Sequence, residues 1–135
     1  MKRVKVFIEK TEDGYSAYVD LEDTTLNYGI IGEGATVSEA LEDFRASYED
    51  MKAIYKEEGR DFVEADFEFL YDLPSFLQYY SKIFSFAGLE RLTEVNQAQL
   101  SQYVQGYRKP SKQTVVKIQK KLHHLAEELQ DIQFV

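Results

Sequence analysis

The chain has 135 residues, is 44% hydrophobic and 30% charged, and carries a formal net charge of −8 with no cysteine. That length suits one medium domain or two small ones, and that hydrophobicity excludes an intrinsically disordered chain. The missing cysteines exclude disulfides and thiolate metal sites, and no apolar run reaches the ~20 residues that a membrane span needs.

A first strand is predicted over residues 3–9, where Val4, Val6 and Ile8 alternate with Lys5, Phe7 and Glu9. The same stretch lacks the long apolar core of a signal peptide, so a cytoplasmic location is expected. Glu12-Asp13-Gly14 reads as a hairpin turn, because Asp-Gly tolerates positive φ. Residues 15–21 read as the returning strand, with Tyr15, Ala17 and Val19 on one face. Residues 22–27 are polar and loop-like, and 28–33 read as a short third strand ended by Gly32-Glu33-Gly34. Thr36-Val-Ser-Glu39 is a capping box: the Thr hydroxyl accepts a backbone N–H, and the Glu carboxylate reaches back to the cap residue. The helix it starts should run to about Glu58, because Val37, Leu41, Phe44, Tyr48, Met51 and Tyr55 form one apolar stripe and Gly59 follows. Residues 62–71 alternate again, with Phe67 and Phe69 among acids. A β-β-β-α-β order of this kind can bury one small core.

Leu73-Pro74-Ser75 marks the expected boundary between a domain at 1–72 and another at 73–135, since Pro suits the first turn of a new helix. A helix is predicted over 75–86. It is apolar on more than one face, which implies burial within the domain or at a dimer interface. The charge divides at the same boundary. Residues 1–72 hold eight basic and 19 acidic side chains, a balance of −11; residues 73–135 hold eight and five, a balance of +3. Charge asymmetry between halves points to a nucleic-acid module joined to something else.

Residues 88–111 carry the sharpest pattern. A short helix over 89–94 turns at Val95 into a second helix whose N-cap is Asn96, with Gln99 three residues on. Leu100, Tyr103 and Val104 should face inward. Gln97, Ala98, Gln99 and Gln102 should face outward and read bases, since glutamine pairs with adenine and an alanine methyl meets a thymine methyl. Gly106 suits a left-handed helix stop. Asn96, Tyr107, Arg108, Lys109 and Lys112 are the expected phosphate contacts, aided by the backbone amides at the second helix's start. A last helix should run from the Ser111 cap to about Asp131, with Val115, Ile118, Leu122, Leu125 and Leu129 as its apolar stripe. This layout is that of a helix-turn-helix, which reads one half-site per copy and so works as a dimer.

Residues 88–130 resemble the Cro/C1-type (XRE-like) helix-turn-helix, through Gln105-Gly-Tyr-Arg-Lys-Pro-Ser111 in particular. Residues 1–72 resemble the HicB antitoxin N-terminal domain, through Asp13-Gly-Tyr-Ser-Ala-Tyr-Val19 and Gly34-Ala-Thr-Val-Ser-Glu-Ala-Leu41. The resemblance implies an α+β fold: a partial RNase H-like β-β-β-α-β domain followed by an all-α helix-turn-helix domain. It also implies a HicA-like toxin as partner, double-stranded operator DNA as ligand, and assembly as a homodimer or higher homo-oligomer. One departure stands out. The family's Leu-Pro-Gly-Cys after the second strand is replaced by Leu21-Glu-Asp-Thr-Thr-Leu-Asn-Tyr28, in a loop that often shapes the toxin interface.

No catalytic residue, metal site or cofactor is expected. RNase H chemistry needs carboxylates holding two metal ions ~3.5–4 Å apart. Asp20, Glu22 and Asp23 with Glu49 or Asp66 would be the candidates, but in so acidic a segment such clusters arise by chance. His123 and His124 are adjacent on a helix, hence ~100° apart, and do not share a face. The rival reading from another class is a protein-interaction or oligomerisation module without specific DNA binding.

Overall fold

A computed structural model describes all residues, 1–135. The fold is α+β: one four-stranded mixed sheet and five helices. No helix is long and apolar enough to cross a membrane. The chain forms two compact units, Met1–Tyr79 and Tyr80–Val135.

In the first unit β1 (Lys2–Lys10) pairs antiparallel with β2 (Tyr15–Val19), which pairs antiparallel with β3 (Ile31–Gly34). Helix α1 (Val37–Glu57) then carries the chain back, so β4 (Ala65–Tyr71) joins the far side of β1 in parallel. A parallel neighbour needs such a crossover. The sheet order is β3-β2-β1-β4. The predicted alternation holds in β1: Val4, Val6 and Ile8 are fully buried. They pair with Phe67, Phe69 and Tyr71 of β4, and the face they share meets α1. Phe44 on α1 sits edge-on to Phe67 and Phe69, with ring centres 5.0 and 6.2 Å away.

Several local expectations change. Gly14 does not adopt positive φ. It is needed because a Cβ there would lie 2.4 Å from the carbonyl oxygen of Gly34, at the end of neighbouring β3. The capping box is shifted: Thr36 Oγ1 accepts the Glu39 N–H at 3.1 Å, but the Glu39 carboxylate accepts from Ala35, one residue before the cap, at 2.8 Å. Strand β2 stops at Val19, and Leu21 is exposed. Strands β3 and β4 start later than alternation suggests, because Tyr28 and Phe62 serve as packing side chains outside the sheet. Their rings stack at 4.5 Å, and the Tyr28 hydroxyl donates to the Val63 carbonyl. Burial pushes the Tyr28 phenol well above its ordinary pKa, which keeps that donor protonated.

Helix α2 (Leu73–Tyr80) replaces the single helix predicted over 75–86, and the compact units divide between Tyr79 and Tyr80. Asp72 ties α2 to the sheet: one carboxylate oxygen accepts the Ser75 N–H at 2.8 Å, the other the Lys10 N–H at 2.9 Å. Gln78 on α2 accepts the otherwise orphaned Val37 N–H in the first turn of α1, at 3.1 Å. The Tyr80 carbonyl then closes a turn by accepting from Ile83 and Phe84.

The second unit contains α3 (Phe86–Thr93), α4 (Gln97–Gln105) and α5 (Lys112–Gln130). Helix α3 starts earlier than predicted, at a Ser85 cap, and Gly88 lies inside it, donating to Ser85 Oγ at 3.0 Å. The buried side chains of this unit include Leu89, Val95, Leu100, Tyr103 and Ile118.

Candidate nucleic-acid interface

Three residues, Glu94, Val95 and Asn96, separate α3 from α4, and each has a distinct job. Thr93, fully buried at the end of α3, organises them. Its hydroxyl donates to the Leu89 carbonyl at 2.7 Å and accepts the Val95 N–H at 3.2 Å. Val95 is buried and pins the turn to the core. Glu94 adopts the left-handed conformation, φ 65°, and is the one non-glycine residue in the chain with positive φ. Asn96 caps α4, its Oδ1 accepting the Gln99 N–H at 2.8 Å.

The left-handed conformation costs a non-glycine residue about 1–2 kcal/mol, partly offset by the extra chain entropy a glycine would lose. The Glu94 side chain reaches only 3.9 Å from Lys117 Nζ, and both groups are well exposed, so the pair contributes little. Glu94→Gly is therefore expected to stabilise the second unit by about 0.5–1 kcal/mol, read as a higher urea midpoint with an unchanged slope.

Helix α4 presents Gln97, Ala98 and Gln102 exposed, on the side away from buried Leu100 and Tyr103. Ser101, one turn beyond Gln97 and Ala98, joins that face. Its spacing was readable in the sequence but overlooked. Gln99 differs from the other three predicted base readers: it is half-buried, and its amide N–H donates to the Tyr103 hydroxyl. That bond fixes the Gln99 side chain along its own helix and satisfies a buried phenol.

The start of α4 holds a correction. Its first-turn amides were expected to attract a phosphate. Instead the Gln97 N–H donates to Glu90 Oε1 at 3.0 Å, so the chain's own carboxylate occupies the positive end of the helix. Asn96 Oδ1 accepts the cap hydrogen bond, which leaves its Nδ2 as the group that would donate to a phosphate. Glu90 lies seven residues before Gln97, on the other side of the turn, and no cap pattern announces the contact.

After α4 the chain stops as expected: Gly106 is left-handed at φ 81°, and the Tyr107 N–H returns to the Gln102 carbonyl at 3.0 Å. Tyr107 is 81% exposed, and Arg108 and Lys109 beside it are exposed too. Ser111 caps α5, its Oγ accepting the Thr114 N–H at 3.2 Å. Lys112 is exposed in the first turn that follows. The result is an exposed basic segment, Arg108, Lys109 and Lys112, next in sequence to an exposed glutamine-rich helix face.

In the first unit two of the acids considered for metal chemistry, Asp20 and Asp23, are engaged locally. Asp20 accepts the Glu22 N–H at 3.1 Å, and Asp23 accepts the Thr25 N–H at 2.7 Å. Bonds from the Thr25 hydroxyl and N–H hold the Asp23 carboxyl below its usual range. No three His, Asp or Glu side chains converge on a site that could hold a metal ion. His124 meets Glu128 one turn along α5, at 2.9 Å. Compared with protein-family models, with curated proteins and with solved structures, the chain matches none.

Proposed function

We propose that this protein is a DNA-binding transcriptional regulator of HicB antitoxin type. The second unit is read as a helix-turn-helix, with α4 as the helix that enters the major groove. The observation that carries this reading is the joint geometry of residues 93–111. A capped helix with an exposed Gln97, Ala98 and Gln102 face ends at a left-handed Gly106, and an exposed Arg108-Lys109 loop follows. Polar side chains at the N-terminal end of a helix suit base edges, and a basic loop suits the phosphate backbone.

The sheet and α1 of the first unit are read as the partial RNase H-like domain of an antitoxin, which binds a HicA-like toxin. Nineteen acidic against eight basic residues in 1–79 support a basic partner, because charge complementarity speeds association and sets orientation. The regulator works as a homodimer or higher homo-oligomer on double-stranded operator DNA in the cytoplasm, without catalysis of its own.

The test is a fluorescence-anisotropy titration against the DNA upstream of the protein's own gene and a scrambled control, at two salt concentrations, with and without any small basic protein encoded beside it. Tight, selective and salt-sensitive binding supports the regulator; equal weak binding to both DNAs in either condition defeats it. Arg108→Ala in the same assay is expected to weaken binding to both DNAs and to lower the salt slope by about one, the signature of a lost phosphate contact.

A further inference from the structure

Helix α4 carries opposite charge at its two ends. Arg108, Lys109 and Lys112, all exposed, follow its C-terminus. Glu90 and Glu94 precede its N-terminus, one helical turn apart. The second unit holds five acidic side chains, and the other three, Glu127, Glu128 and Asp131, stand at the far end of α5. The two nearest the start of α4 therefore carry the negative charge beside the exposed Gln97 and Ala98.

Glu90 is the better placed of the pair. Its Oε1 accepts the Gln97 N–H at 3.0 Å, so the carboxylate rests against the first residue of α4. Its side chain is half-buried, whereas that of Glu94 is 70% exposed and leans towards Lys117. Satisfying the Gln97 N–H needs only an acceptor, which a neutral glutamine would supply equally well. The charge is a separate property, and its position gives it a separate effect. A free amide at a helix N-terminus attracts phosphate whatever the base sequence. Here that amide is taken, and a phosphate approaching it meets a negative charge.

We infer that Glu90 sets the selectivity of α4: its charge disfavours the phosphate backbone at the N-terminal end of the helix, so that contact there depends on base edges and neutral donors. The inference rests on the DNA-binding reading of the second unit and adds to it a residue that touches no base. Non-specific complexes are held almost wholly by phosphate contacts, so they lose most from such a charge. A complex in which Gln97 sits over its base edge draws on contacts that the charge does not weaken.

Anisotropy titrations of the full chain against its upstream DNA and the scrambled control, each at two salt concentrations, test it. Glu90→Gln should tighten binding to scrambled DNA about tenfold and to upstream DNA by less than about threefold, and the gain should shrink as salt rises. Its urea midpoint should stay close to wild type, because the acceptor is kept. Glu90→Asp, which keeps the charge on a shorter side chain, should keep wild-type selectivity. Glu94→Gln makes the same change in net charge without contact to α4 and should alter either affinity by less than about twofold. A selective wild type whose Glu90→Gln variant binds scrambled DNA no tighter overturns the inference and leaves the regulator reading standing. So does a Glu94→Gln variant that gains as much, since net charge alone would then be the cause. A wild type with no selectivity overturns the regulator reading, and this inference with it.

Discussion

Gly32→Ala is expected to remove at least about 3 kcal/mol of stability from the first unit, a large share of what a domain of this size possesses. A Cβ at Gly32 would lie 2.3 Å from the Ala40 carbonyl oxygen and 2.5 Å from the Phe44 amide nitrogen. Both are backbone atoms of α1, so no side-chain rotation relieves the clash. The helix must lift off β3, and Phe44, which is fully buried against Phe67 and Phe69, loses its packing. Gly29→Ala is the control: nothing lies within 4 Å of a Cβ there, and its φ is not positive. It should be neutral or slightly stabilising, because alanine restricts the unfolded chain. Urea unfolding of both variants checks the pair. Equal midpoints would mean that α1 does not rest on β3 as described.

Gln97→Ala combined with Gln102→Ala is expected to cut the preference for promoter over scrambled DNA by at least about tenfold, since each bidentate glutamine–adenine pair is worth about 1–3 kcal/mol of discrimination. Both side chains are exposed, so stability should change little. Non-specific affinity should survive, because the phosphate contacts proposed for it are Arg108, Lys109 and Lys112 rather than the glutamines. The ratio of the two dissociation constants at one salt concentration is the quantity to read. A ratio left unchanged would remove base reading from α4, whatever the protein then binds. Gln99→Ala tests a different role. Its amide is bonded to Tyr103, so its loss should register in stability as well as in binding.

The three helix caps show why some features were legible from residues alone. Thr36, Asn96 and Ser111 each accept the backbone N–H three residues ahead, within one turn of chain. A contact of that range depends on little besides local sequence, so the side-chain type announces it. The left-handed stop at Gly106 is local in the same way. The alternation that buries Val4, Val6 and Ile8 is also local, because strand geometry sends successive side chains to opposite faces. Residue order by itself therefore determined the α+β class, the β-β-β-α-β order, the exposed glutamine face and the basic loop.

What remained hidden depends on segments far apart in sequence. Residue patterns did not announce that β4 lies parallel to β1, that Gly32 and Gly34 lie directly beneath α1, or that Gln78 caps the start of that helix. The break at Tyr80 was missed because large apolar residues recur on to Phe86. In the structure α2 ends at Tyr80, whose carbonyl closes a turn with Ile83 and Phe84. The Glu90 carboxylate at the start of α4 is decided by how α3 turns back on α4. The sequence by itself determined which faces are apolar, where helices begin and where charge gathers, because these follow from backbone geometry over one or two turns. Only the tertiary structure decided which backbone groups those side chains satisfy across the fold, because such partners depend on what else the chain brings near.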